Sequence, residues 1–169
     1  MNIQNSTMSD VDTIFELYRL ATNHQKIHFP KVSWPVFERS LVTTEIEEKR
    51  QWKLLVDDTV GCVWATTFSD PQIWEEKNSD PAVYIHRIAT NPDLRGQNFV
   101  SKIVEWATAY AKLHDKKYIR MDTCGNNLKL IAYYQKCGFD FLGIHKLKKS
   151  DGLPAHYIGA DVCFFEMKL

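Results

Sequence analysis

The stretch Ile85–Ala107, "IHRIATNPDLRGQNFVSKIVEWA", runs from an apolar strand pattern into a helical one across a loop with a single glycine, Gly96. The run "AVYIHRIAT" (82–90) is the strongest strand signal in the chain, and Asn91-Pro92 ends it because proline cannot donate to a sheet ladder. Phe99, Ile103, Trp106, Ala107 and Tyr110 then recur at helical spacing as far as Leu113. "KYIRMDTC" (117–124) is a further strand. Strand, helix and strand in this order predict a β-α-β unit with parallel strands and a right-handed crossover.

Working outward, "STMSDVDTIFELYRLA" (6–21) predicts a helix capped by Ser9, with Asp12 completing a weak capping box and Val11, Ile14, Phe15, Tyr18 and Ala21 on one face. Pro30 breaks it. A second helix is expected after Ser33, with Pro35 in its first turn and Val36, Phe37, Leu41 and Ile46 buried. "QWKLLVDD" and "TVGCVWATTF" (51–68) read as a hairpin around Asp57-Asp58, and "PQIWEEKNSDPA" (71–82) as a polar excursion. "NLKLIAYYQKCGF" (127–139) is a helix stopped at Gly138. "FDFLGIHKL" and "DVCFFEMKL" close the chain as an antiparallel pair around the loop "KKSDGLPAHYIGA" (148–160). The order is strand, helix, helix, hairpin, strand, helix, strand, helix, strand, strand. It predicts one α/β (α+β) domain over residues 1–169: a mixed, mostly antiparallel sheet of about seven strands with helices on both faces.

The 169 residues carry 21 Lys plus Arg and 21 Asp plus Glu, a formal net charge of zero. That composition lacks the basic footprint of a nucleic-acid binder and favours a small-molecule partner. Cys62, Cys124, Cys137 and Cys163 show no C-x-x-C spacing, so neither a zinc knuckle nor a disulfide framework is expected, and Cys124 and Cys137 read as buried small apolar residues. His24 and His28 stand four apart without a third ligand, so no metal is expected. The N-terminus has no signal-peptide pattern and no apolar run is long enough to span a bilayer, which makes the cytoplasm the expected compartment.

The loop after Thr90 has neither G-x-x-x-x-G-K-[ST] nor G-x-G-x-x-G, which removes the two common nucleotide fingerprints. What remains is Arg95 beside the start of a helix. The first N–H groups there, near Asn98–Ser101, have no intrahelical acceptor and sit at the positive dipole end, a natural anion site.

Together, "IHRIATNPDLRGQNFVSKIVEWA" and "NNLKLIAYYQKCGF" resemble the GCN5-related N-acetyltransferase superfamily. Its pyrophosphate loop reads [RQ]-x-x-G-x-[GA]. Arg95 holds the first position, while Asn98 and Val100 stand where the glycine and the small residue fall; Gly96 and Gln97 match the common opening. Its second motif, N-x-x-A-x-x-L-Y-x-K-x-G-F, matches Asn127, Tyr134, Lys136, Gly138 and Phe139, with Leu130 and Tyr133 as departures. Asn98 tolerates a left-handed backbone and can cap the helix, whereas Val100 must already lie inside the helix, where it threatens to crowd the phosphates.

The resemblance implies an acyl-CoA-dependent N-acyltransferase that moves acetyl from acetyl-CoA, a co-substrate, to a primary amine by direct attack in a ternary complex. It assigns the diphosphate to Arg95, Gly96, Gln97, Asn98, Phe99, Val100 and Ser101, and the pantetheine arm and the oxyanion to the strand end at Ile88, Ala89 and Thr90. Tyr134 is implied as the acid that protonates the leaving thiolate. Many relatives use a strand glutamate as base; His86 stands there and titrates near neutrality. Asn127 is either a helix cap alone or also a cofactor contact, Tyr133 reads as a core aromatic, and Arg87 as a surface or salt-bridge residue. Loss of the motif glycines and of the strand glutamate supports an alternative, a non-catalytic acyl-CoA sensor on the same fold. Family members are often dimers, and Trp74 is the candidate contact for a homodimer. The acceptor, a small-molecule or protein amine, is not specified by the residues.

Overall fold

A computed structural model describes residues 1–147 and 151–169; Lys148, Lys149 and Ser150, in the loop expected between the last two strands, lie outside the described residues. The strands are β1 (Asn2–Asn5), β2 (Gln51–Val56), β3 (Thr59–Thr67), β4 (Ala82–Thr90), β5 (Tyr118–Cys124), β6 (Asp140–Lys146) and β7 (Asp161–Lys168). They form one seven-stranded sheet in the order β1-β2-β3-β4-β5-β7-β6. Every neighbouring pair is antiparallel except β4 and β5, the two strands of the β-α-β unit. The mixed, mostly antiparallel sheet expected from the sequence is therefore present.

The helices are α1 (Val11–His28), α2 (Arg39–Glu47), α3 (Pro71–Trp74), α4 (Phe99–Leu113) and α5 (Leu128–Lys136). Strand alternation sends Cys62 and Trp64 of β3 into the core beneath α4 and α5, and Val63 into the core beneath α1 and α2. The helices thus cover both faces. No helix among the described residues is long and apolar enough to cross a membrane.

Three local readings need correction. Thr7, not Ser9, heads the first helical segment: the Thr7 N–H and hydroxyl both donate to Asp10 Oδ2, at 2.7 and 2.9 Å, around a short 3-10 turn. Asp10 is also held by Lys53 Nζ at 2.7 Å, which fixes the cap to the sheet. The second helix starts at Arg39, so Val36 is solvent-exposed and Leu41 lies at the surface, while Phe37 and Ile46 are buried as expected. Pro35 disfavours helix at the residue before it, and the non-helical segment lets Trp34 and Phe37 both pack edge-on against Tyr18, at 5.8 and 5.5 Å. Trp74 is 3% exposed and belongs to the core, packed on Tyr84 and Phe164, and cannot serve as a dimer contact.

That burial also positions the polar excursion. Arg120 of β5 is wholly buried beneath it, with its guanidinium 4.9 Å from the Trp74 ring, donating to the Lys77 carbonyl and the Asp80 carboxylate and paired with Glu166 of β7. A buried cation is tolerated when its donors are met in this way. The excursion is thereby held at a fixed place over the sheet.

Candidate active site

The geometry of the site begins with a defect in β4. Its pairing with β3 runs Val63↔Ala89 and then Ala65↔His86, so β4 carries one extra residue over that interval, a β-bulge at Arg87-Ile88. Arg87 takes a left-handed φ of 51°, a conformation that costs a non-glycine residue about 1 kcal/mol. Its guanidinium pairs with Glu45 of α2 at 2.5 Å and donates to the Tyr18 hydroxyl at 3.3 Å. Arg87 is therefore a salt-bridge residue, but an inward one.

On the other side, β4 pairs with β5 only from Ala82↔Tyr118 to Ile85↔Met121. Beyond Ile85 the parallel partners separate, and the backbone edge of His86–Thr90 that would face β5 has no strand beside it. Ala89 points into the core, so it offers this gap only its main chain. Ile88 lines one cavity and Thr90 another, one on each side of the gap.

The Thr90 side is a hollow of about 630 Å³ lined by Arg95–Ser101 with Tyr133, Lys136 and Cys137. The loop that forms it is tied to the sheet by Asn91, whose N–H donates to the Gly61 carbonyl at 2.8 Å and whose side chain donates to the Val60 carbonyl at 3.2 Å. Gly61 leaves room for the Phe99 ring: a Cβ at this position would lie 2.8 Å from Phe99 Cζ. Asn98 has φ 56° and ψ 41°, the left-handed geometry that a glycine would otherwise supply. It does not cap the helix with its side chain; Oδ1 instead accepts from the Tyr133 hydroxyl at 3.1 Å. Tyr133 is thus a wall of the hollow as well as a core neighbour. Val100 packs into the main core, 8% exposed, while also lining the hollow.

The other cavity, about 960 Å³, lies where β4 and β5 separate, and His86, Ile88, Asp122, Asn127 and Tyr134 are among its walls. Asn127 Oδ1 accepts from the Leu130 N–H at 3.2 Å, so it does cap α5. Tyr134 is buried, its ring edge-on to Phe165 at 5.0 Å; burial raises its phenol above the ordinary value and keeps the proton on oxygen. Adjacent residues Tyr133 and Tyr134 thus face the two cavities in turn.

Two acids that the sequence did not single out meet His86 here. Asp70 Oδ2 lies 3.4 Å from His86 Nε2, and a ring nitrogen of His86 and a carboxylate oxygen from each of Asp70 and Asp122 all fall within 4.8 Å of one another. His86 does not keep the near-neutral titration expected of it: burial lowers it to about 3, helped by Arg87 and Arg50. Burial raises Asp70 to about 7, helped by Asp122, and raises Asp122 to about 6. Every shift favours the neutral form, so the cluster resists carrying its full charge. Asp70 stands just before the polar excursion that begins at Pro71, and Asp122 is one acid in an apolar strand; only the tertiary fold brings them together.

Residues 12–139 match the family described as the acetyltransferase (GNAT) family. Among curated proteins, the uncharacterized N-acetyltransferase YesJ of Bacillus subtilis (strain 168) is 26% identical over 74 residues, 44% of this chain and 41% of that protein, so the match spans less than half of the relative's length. A GNAT-family acetyltransferase from Listeria monocytogenes 4b F2365 superposes with a TM-score of 0.76 at 18% identity, covering 99% of this chain and 94% of that one. The structure of yncA, a putative acetyltransferase from Salmonella typhimurium with its cofactor acetyl-CoA, superposes with a TM-score of 0.71 at 14% identity, covering 100% and 94%.

Proposed function

Because the chain belongs to the acetyltransferase (GNAT) family, we propose that it transfers acetyl from acetyl-CoA to a primary amine by direct attack within a ternary complex. The observation that carries this reading is the separation of β4 from β5 beyond Ile85↔Met121, which leaves an unpaired strand edge between two cavities. A pantetheine arm is a chain of amides, and it can pair with such an edge at Ile88–Thr90 as an added strand. In this reading a main-chain N–H there stabilises the oxyanion of the attacked thioester, a contribution of about 3 kcal/mol for one good donor.

The diphosphate takes the hollow formed by Arg95–Ser101, where helix-start N–H groups and the Arg95 guanidinium supply donors and charge. The core packing of Val100 and the left-handed Asn98 support this despite the missing glycines. Asn127 lines the larger cavity and caps α5, and in this reading it also contacts the cofactor arm.

Transfer needs an unprotonated amine and a proton for the thiolate. His86 takes the proton from the amine and Tyr134 supplies the other. A buried phenol is a reluctant acid, so it gives its proton only as charge builds on sulfur; until then it serves as a hydrogen-bond donor. Use of acetyl-CoA as co-substrate favours the cytoplasm as its compartment in this reading.

Thiol release from acetyl-CoA over a panel of amines, run beside thermal shift with acetyl-CoA, tests the reading. Turnover on any amine together with stabilisation supports it. Stabilisation without turnover assigns the chain to the sensor class instead, and neither effect removes both.

A further inference from the structure

The transfer chemistry above leaves unused the groups that converge on His86. Asp70 comes from the turn between β3 and α3, where its N–H is held by Asn78 Oδ1 at 2.5 Å. Its Oδ2 is buried and has no hydrogen-bond partner among the described residues, yet the residue forms part of the larger cavity's wall, 3.4 Å from His86 Nε2. Asp122 comes from β5, just beyond the last residue paired with β4. Tyr157 backs it, donating to Asp122 Oδ2 at 2.6 Å. A buried carboxylate oxygen without a donor is costly, and a second acid beside it raises the cost. A cation entering from the cavity removes that cost.

We infer that Asp70 and His86 form one proton-accepting unit, flanked by Asp122, which Tyr157 holds, and that it receives the acceptor as a primary ammonium. This rests on the acetyl-transfer reading and names the charge state in which its acceptor binds. The ammonium donates to Asp70 Oδ2 and passes one proton to the Asp70–His86 pair, which holds it between Oδ2 and Nε2. The freed lone pair attacks the thioester carbon. As the C–N bond forms and the C–S bond breaks, the thiolate takes the Tyr134 proton. The surplus proton on the new amide nitrogen restores the phenol, and the pair releases its own to solvent.

The surroundings explain why His86 needs Asp70. Arg87, next to it on β4, and Arg50, ahead of β2, both oppose an imidazolium. Their own acids, Glu45 of α2 and Glu48, are already paired with them. His156, in the segment before β7, is held neutral by burial and by Arg87, at about 4. Tyr84 of β4 and Cys124 of β5, which interact with the two aspartates, are raised and stay protonated. The acid that approaches the imidazole from this shell is Asp70, and protonating it, as burial favours below about 7, fills the pair's proton site before the ammonium arrives.

The experiment is thiol release from acetyl-CoA with phenethylamine, spermidine and a glycyl peptide between pH 5.5 and 9, for the wild type, Asp70→Asn and Asp70→Glu. The expected result is a wild-type kcat/KM that falls below about pH 7, an Asp70→Asn rate lower by about 10- to 1000-fold with that limb gone, and partial recovery in Asp70→Glu. Acetyl-CoA affinity stays within about twofold. An unchanged profile in Asp70→Asn sinks this inference and leaves the acetyl-transfer reading standing. Wild-type protein that binds acetyl-CoA but acetylates none of the three amines removes both. Activity abolished by EDTA and restored by zinc or manganese assigns the three groups to a metal and overturns the inference. Should Asp70→Asn fail to fold, the His86 imidazole resonances of the wild type decide: an inflection near pH 7 supports the coupling and its absence overturns it.

Discussion

The Tyr133 hydroxyl donates to Asn98 Oδ1 at 3.1 Å, joining α5 to the left-handed residue that opens α4. One bond thus links the two sequence motifs of the family and steadies the hollow proposed for the diphosphate. Tyr133→Phe removes the donor from a partly exposed pair, so its effect on stability should stay near 0.5–1.5 kcal/mol. Acetyl-CoA affinity should fall by about two- to tenfold as the loop loosens. Denaturant melts beside calorimetric titration separate the two effects, and an unchanged affinity would show that the bond plays no part in the cradle.

Asn98→Gly should leave the backbone untouched, since glycine adopts φ 56° freely. Asn98→Val should be worse, because a β-branched side chain at this φ is strained by about 1–2 kcal/mol. Weaker acetyl-CoA binding by the valine than by the glycine variant is the expected order; the reverse order would contradict the conformational role.

Gly61→Ala places a methyl group 2.8 Å from Phe99 Cζ and forces the ring that seats α4 to move. Overpacking of this kind costs about 1–3 kcal/mol. Phe99→Leu in the same chain should relieve part of that cost, which urea unfolding of the two single variants and the double variant measures.

Tyr134→Phe should lower kcat by about 10- to 1000-fold while acetyl-CoA affinity stays within about twofold, because the ring's packing on Phe165 survives. Single-turnover rates with the best amine check it, and an unchanged rate would remove the phenol from the proton transfer.

Asp70→Asn should also change stability with pH. The folded carboxyl is raised to about 7, so the folded state holds a proton that the unfolded chain has released by then. The penalty is absent well below pH 4, grows as pH rises towards 7 and is complete above it. The asparagine variant should therefore gain about 1–3 kcal/mol over the wild type near pH 8, after allowing for partial exposure, and nothing near pH 4. Urea unfolding across that range tests the slope, and a flat difference would show that the buried acid is not strained.

The frame of the fold was legible where local periodicity and tertiary burial agree. The strand at 82–90, the loop and the helix from Phe99 appear as read, and Asn98 takes the left-handed geometry that its type allows. The start of the second helix was misread because Pro30, Ser33 and Pro35 offer several plausible starts, and the packing of Trp34 and Phe37 on Tyr18 chose a later one. Trp74 looked like a lone aromatic on a polar loop; its partners Tyr84, Phe164 and Arg120 lie on three different strands. For the same reason Asp70 and Asp122 carried no signal. Neither is unusual in its own segment, and the bulge at Arg87 and the separation of β4 from β5, which set His86 beside them, follow no short pattern of residue types.

Calorimetric titration of acetyl-CoA into the wild-type protein and into Arg95→Ala measures the diphosphate hollow most directly. Saturable one-to-one binding, weakened in the alanine variant by about 1–2 kcal/mol as a charge-assisted contact is lost, is the predicted result. No heat of binding at millimolar acetyl-CoA, or equal affinity in the two proteins, would contradict it.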